Sequence, residues 1–189
     1  ISYRWHSNGA LADSANFDGN GNGALVSWDD NGKLISAGRF IQDSLKSGRW
    51  KYYYPNGQLH ASEDYNNGKL SSVKCFDDQG NEKSDCESKE AEYIDGKSGW
   101  SQFVMRNLNG NVPIDNNAPI GTYTVIVQFI IEPNGTISNI KALTNHRYGM
   151  ESEAVRIIKK SGKWTPAKRF GVYVKAYRKQ PITFMISER

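Results

Sequence analysis

The chain has 189 residues, 12% of them aromatic and 18 of them glycine, which allows one domain or two small ones. Its mean hydropathy of −0.66 with that glycine content points to turn-rich β structure, while the supply of Trp, Tyr and Ile excludes disorder throughout. The formal charge of +4 conceals a split, since residues 1–118 hold 12 basic and 16 acidic side chains and residues 119–189 hold 12 basic and 4 acidic. Such asymmetry marks two units with different partners. The basic charges are dispersed along a helix and strands without a stacking motif, so no nucleic acid partner is expected. No apolar run reaches the ~18 residues that cross a bilayer. The chain opens at Ile1 with neither initiator Met nor signal peptide, so an N-terminal targeting segment is expected to be missing.

From the start of the chain a repeat is visible. Trp5-His-Ser-Asn-Gly9, Trp28-Asp-Asp-Asn-Gly32, Tyr53-Tyr-Pro-Asn-Gly57 and Phe76-Asp-Asp-Gln-Gly80 align at steps of 23, 25 and 23 residues. A second aromatic follows in each of the first three units (Phe17, Phe40, Tyr65), and a glycine precedes the next strand at Gly23, Gly48 and Gly68. Each unit reads as strand, Asn-Gly-type turn, strand, turn. A two-stranded unit cannot bury a face alone, so stacked units must share a row of aromatics. Trp28, Phe40, Trp50 and Tyr52 to Tyr54 supply that packing, or alternatively an exposed strip for a chain-like ligand such as a glycan. The phrase GRWKYYYPNGQLHASEDYNNGKL resembles the MORN-repeat variant of bacterial proteins, and the resemblance covers about residues 1–83.

Glu82 to Glu92 is a polar run and reads as the boundary, giving expected domains of 1–90 and 91–189. Cys75 and Cys86 lie 11 residues apart, without a CxxC or clustered His. They could close as a disulfide in an oxidising compartment, or remain two free thiols. His6, His60 and His146 lack ligand spacing, so no metal and no cofactor is expected.

Ser98 to Asn107 fits a short helix burying Trp100, Phe103 and Val104, and Leu108 to Pro119 reads as loop. Thr122 to Ile131 alternates as a strand, Glu132-Pro133-Asn134-Gly135 turns it, and Thr136 to Thr144 returns. Gly149 to Gly162 changes to helical period, with Ala154, Ile157, Ile158 and Ser161 on one stripe and Gly162 at the C-terminal stop. Val172 to Ile186 reads as one further long strand. The fold class is therefore mainly β plus α+β: a stack of β-hairpin repeats, then a small antiparallel three-stranded sheet covered by one or two helices.

The stretches IGTYTVIVQFIIEPNGTISNIKAL, EAVRIIKKSGKWTPAK and GVYVKAYRKQPITFMI resemble the C-terminal domain of TonB proteins, over about residues 98–189. Trp164-Thr165-Pro166 and Pro181-Ile182-Thr183-Phe184 carry the most specific part. Where that family usually has a tyrosine-proline phrase before the first strand, this chain has Val112-Pro113-Ile114. The resemblance implies a periplasmic or periplasm-facing envelope location. It also implies capture of a short extended segment of an outer-membrane receptor by β-strand addition.

No catalytic residues are assigned, because GxSxG, HExxH, P-loop, paired-carboxylate and Cys-His signatures are all absent. His146 lies just before a helix, where it serves either an anion or a local hydrogen bond. The remaining feature is the basic last strand, whose Pro181 suits a sheet edge. The contact is expected along Tyr173, Val174, Lys175, Ala176, Tyr177, Arg178, Lys179 and Gln180. Lys175, Arg178 and Lys179 would otherwise only guard the edge against aggregation. The partner expected is a protein, with a glycan at the repeats and a homodimer as further options. The alternative is a repeat scaffold that binds glycan, lipid head group or protein through residues 1–90.

Overall fold

The computed structural model describes residues 1–187, which form two compact units, Ile1–Glu87 and residues 88 onward. The first is one antiparallel meander of eight strands in chain order. These are β1 (Ser2–Trp5), β2 (Leu11–Phe17), β3 (Gly23–Trp28), β4 (Leu34–Ile41), β5 (Leu45–Tyr53), β6 (Leu59–Asn66), β7 (Lys69–Phe76) and β8 (Glu82–Lys83). Its turns follow the sequence chemistry. At Asp29–Lys33, Asp29 N–H donates to Lys33 O and Gly32 N–H to Asp29 O, while the Asp29 carboxylate accepts from the N–H groups of Asn31 and Lys33. Gly32 takes φ +77, which favours glycine. Asp77–Asn81 repeats the arrangement.

Successive hairpins are tied by bonds 22 residues long in sequence. His6 Nε2 meets Trp28 O at 2.9 Å and Asn8 Nδ2 donates to Asp30 O. The same two links recur from Tyr54 OH to Phe76 O and from Asn56 Nδ2 to Asp78 O. They join units spaced by 23 residues; at the 25-residue step an extra turn, Gln42–Asp43 with both φ positive, intervenes.

One face carries the aromatic row. Phe17 stacks on Phe40 at 6.2 Å and Phe40 meets Trp50 edge-on at 4.9 Å. Trp50, 3% exposed, lies flat on Gly38 and donates Nε1–H to Arg39 O. Beside it the Glu63 carboxylate accepts from Tyr52 OH at 2.6 Å and Tyr65 OH at 2.8 Å, and Lys46 Nζ bridges to it at 3.3 Å. Packing is thus the role of Trp50 and Tyr52, whereas Tyr3 and Trp5 on β1 are 56% and 61% exposed. Cys75 on β7 and Cys86 are joined as a disulfide, with Cα atoms 5.6 Å apart.

The second unit comprises β9 (Glu92–Tyr93), α1 (Gly96–Asn107), α2 (Val112–Asp115), β10 (Gly121–Ile131), β11 (Ile137–Ala142), α3 (Met150–Lys160), β12 (Trp164–Thr165), β13 (Ala167–Arg169), β14 (Val172–Val174) and β15 (Ala176–Ile186). Its main sheet has the order β11-β10-β15, antiparallel throughout. Val125, Val127, Phe129 and Ile131 of β10 and Ile182 and Phe184 of β15 pack with Ala154, Ile157 and Ile158 of α3 in a single core. Glu151 and Glu153 begin α3 and Lys159 and Lys160 end it, as the helix dipole favours. Glu153 is buried and holds two groups: its carboxylate accepts from Asn109 N–H at 2.7 Å and pairs with Arg156, which also bonds Asn107 O. This fixes the end of α1 to α3. Trp100, Phe103 and Val104 of α1 are half-buried against the core, as their spacing predicts.

Three readings are corrected. The stretch 108–119 is not all loop: Val112–Asp115 makes a helical turn, because Pro113 sits near its start, where no N–H is required. The polar run 82–92 does hold the division between the units, at Glu87/Ser88, but its second half is not connector. Ser88 Oγ accepts from Phe170 N–H, Lys89 exchanges both backbone bonds with Lys168, and Glu92–Tyr93 pair with β12. Val172–Ile186 is not one strand either. Phe170 and Gly171 take φ +50 and +77, a two-residue hairpin turn, so β14 folds back on β13 and a break at Lys175 precedes β15.

Candidate partner-binding edge

β10 has a neighbour on both sides, but among the described residues β15 is hydrogen-bonded on one side only. Which of its backbone groups face outward follows from β10. Leu143 N–H donates to Ile126 O at 2.8 Å and Ile126 N–H reaches Thr144 Oγ1 at 3.3 Å, so the polar backbone of Ile126 faces the β11 side. Ile126 lies opposite Pro181, and the β10–β15 register runs without a shift from Gly121↔Ile186 to Ile131↔Ala176. In an antiparallel ladder the phase alternates, so Pro181 aims its nitrogen away from β10. Proline has no hydrogen to donate there, and this is the position where the omission costs the sheet nothing.

The same phase makes Tyr177, Lys179, Thr183 and Met185 the residues whose N–H and C=O point off the open side of β15. Ala176, Arg178 and Gln180 direct theirs to β10. Tyr173 and Val174 belong to the separate β13–β14 ribbon, and Lys175, outside any strand, bridges Glu132 at 3.5 Å. The eight residues singled out by sequence therefore do not act as one row. Two of them, Tyr177 and Lys179, present open backbone, and Thr183 and Met185 beyond the proline, which sequence reasoning excluded, join them. Counting alternate positions outward from Pro181 is the signal that finds them.

Next to the first half of this edge lies a cleft of about 320 Å³. Its floor is aromatic: Trp164 meets Tyr93 at 5.5 Å, Trp100 at 5.4 Å and Phe129 at 5.0 Å. Trp164 is buried and anchored by Nε1–H to Ser161 Oγ at 2.9 Å. Arg178 crosses the cleft, with Nη1 donating to Ala91 O at 2.9 Å and its guanidinium 5.8 Å from the Trp164 ring centre. Its Nε is buried and has no hydrogen-bond partner among the described residues. Lys97 and Lys179 stand on the rim with Glu92, which is paired to Lys89 at 2.8 Å. The Lys89 hydrogen bond and charge hold the Glu92 carboxyl below its ordinary value.

Residues 123–186 match the family model of the Gram-negative bacterial TonB protein C-terminal. Residues 46–67 match the MORN repeat variant. The TonB-type match spans β11, α3, β15 and all but the first two residues of β10, and the MORN match contains Lys46, Trp50, Tyr52, Glu63 and Tyr65, the cluster at the centre of the meander. Both families are non-catalytic binding modules, and their order, repeats before TonB-type sheet, is the order read from the sequence. No curated protein and no solved structure matches the chain. Among the described residues no helix is long and apolar enough to cross a membrane.

The other candidate read from the sequence, His146, is internally satisfied. His146 Nε2 contacts Thr124 O at 2.9 Å, and its backbone N–H is held by Glu151. In the turn 18–22 the Asp18 carboxylate accepts from Asn20 and Asn22 N–H, so this glycine-rich turn already cradles its own anion. These hydrogen bonds hold the Asp18 carboxyl below its usual range.

Proposed function

We propose that this protein is a non-catalytic envelope module that captures an extended segment of a partner protein by strand addition to the open side of β15. The observation that carries it is the phase of that strand: a long edge whose one proline falls where only an added strand would need the N–H. The TonB-type match supports a periplasm-facing location and an outer-membrane receptor segment as the partner, in TonB-linked transport. Main-chain hydrogen bonds would supply the attraction and neighbouring side chains the choice of partner. Titration with extended peptides from receptor N-termini, followed by amide NMR shifts, tests it. Shifts are expected at Tyr177, Lys179, Thr183 and Met185; an edge that stays silent at saturating peptide sinks the proposal. A homodimer formed through the same edge would compete, and sedimentation at rising concentration reads it.

The exposed Tyr3 and Trp5, ring centres 6.3 Å apart, favour a second reading in which the repeats bind a glycan. Envelope glycans should then change tryptophan emission in the full chain and lose that effect in Trp5→Ala. Equal responses from both proteins dismiss it.

A further inference from the structure

We infer that the aromatic cleft beside β15 is a side-chain subsite for the added strand, taking an aromatic residue with a carboxylate two positions away on the same face. The inference rests on strand addition as proposed above and deepens it. Residues paired across a ladder share a face, so a strand residue lying opposite Arg178 or Gln180 projects to the side on which those two side chains lie. That side holds α1 and the cleft, bounded by Trp100 and Trp164. On the opposite face Tyr177 and Met185 are 73% and 79% exposed.

The chemistry of the cleft selects its occupant. A floor of Tyr93, Trp100 and Trp164 rewards an apolar ring placed edge-on or offset against it. The rim is cationic: Lys97 is exposed, Arg178 keeps a buried donor at Nε without a partner among the described residues, and the single carboxylate, Glu92, is already matched by Lys89. A carboxylate two residues along from the aromatic one projects to the same face, toward Lys97, and would give Arg178 Nε an acceptor. A basic segment would meet like charge. The free donor and the charge excess are separate observations, and both ask for an acidic ligand.

The test uses the full chain and three ten-residue peptides of Thr, Ser and Val: one with a central Phe and a Glu two residues to either side, one with Ala for Phe, and one with Lys for Glu. Binding is followed by amide and indole NMR shifts. The Phe/Glu peptide should bind about tenfold more tightly than either control, a difference of about 1.4 kcal/mol, and should shift the Trp100 indole signal. In Ser101→Trp, which fills the cleft from the exposed face of α1, its advantage over the Ala peptide should vanish while shifts at Tyr177 and Lys179 persist. Lys97→Glu should reduce the preference for Glu over Lys flanks. If all three peptides shift the β15 amides with equal affinity, strand addition stands and the subsite is refuted. If none shifts them, both readings fall together.

Discussion

Proline substitution along β15 separates the two sides of one strand. Lys179 N–H points to solvent, as the nitrogen of Pro181 does, so Lys179→Pro breaks no bond to β10 and should cost the fold no more than about 1 kcal/mol. Gln180 lies opposite Val127 in a pair that exchanges ladder bonds, and Val127 is fully buried. Gln180→Pro removes the donor and leaves the Val127 carbonyl without a partner away from water, about 1–3 kcal/mol. The ring then occupies the space of the lost hydrogen, which takes the total to about 3 kcal/mol or more. Urea unfolding read from methyl resonances of Ile157, Ile158 and Ile182 follows the C-terminal unit by itself, avoiding a blended two-unit transition. Equal losses in the two variants would refute the assigned phase and with it the choice of outward residues. Lys179→Pro should in addition weaken peptide capture at unchanged stability, since it deletes a donor that only an added strand uses.

Other perturbations probe the parts that hold the two units together internally. Burial pushes the Glu63 carboxyl up, but hydrogen bonds from Tyr52 and Tyr65 and the Lys46 charge outweigh it, so its folded pKa lies below the ordinary value. Its contribution is complete above the unfolded pKa, near ~4.3, and is lost as pH falls through the lower folded value. Acid titration of Glu63→Gln should show a flatter decline than wild type, and identical profiles would contradict this. A Cβ at Gly38 would stand 2.1 Å from Trp50, so Gly38→Val must expel the indole. The expected loss is about 1–3 kcal/mol, with the Trp50 indole N–H signal moving as its bond to Arg39 O breaks. Glu153→Ala strands Asn109 N–H and Arg156, and melting of the C-terminal unit should report about 1–3 kcal/mol; a larger rescue by Gln than by Asp would fit its hydrogen-bonding reach. Reduction of Cys75–Cys86 frees a short loop and should cost the meander about 2–3 kcal/mol in urea.

Much of this was legible because local chemistry and fold agree. Asp29, Gly32, Asp77 and Gly80 specify turns by themselves, and the helical stripe of Ala154, Ile157 and Ile158 needs a core on one side whatever the topology. The failures share a cause in contacts distant in sequence. Val172–Val174 has strand composition, yet Phe170-Gly171 in left-handed backbone returns it to Ala167–Arg169, and a phenylalanine at positive φ is not a turn signal that composition offers. Lys89 and Glu92 look like solvated linker until Lys168 and Thr165, more than seventy residues later, supply their backbone partners. The candidate edge was half visible. Pro181 indicated an open margin, but the direction of its nitrogen depends on the bonds of Ile126 to Leu143 and Thr144. Without them the proline reads as the end of the usable edge, and with them as its midpoint.

That midpoint decides how the edge can work. Four outward N–H groups, two on each side of Pro181, and five outward C=O groups are worth about 4.5–13.5 kcal/mol in net hydrogen bonding at 0.5–1.5 each. Association costs an estimated 4–15 kcal/mol in lost motion before any side chain is ordered. Backbone pairing alone therefore leaves a captured strand weakly held, and it leaves a second copy of this chain weakly held by the same edge. Pro181 and the exposed Lys179 thus blunt an eleven-residue strand that would otherwise invite indiscriminate pairing. A genuine partner must add energy from side chains on one face, and on the helix-bearing face the recess beside Arg178 is the place to gain it. If a strand is captured here as proposed, selectivity at this edge resides less in the ladder, which any extended chain can join, than in the aromatic floor of Trp100 and Trp164 under a cationic rim.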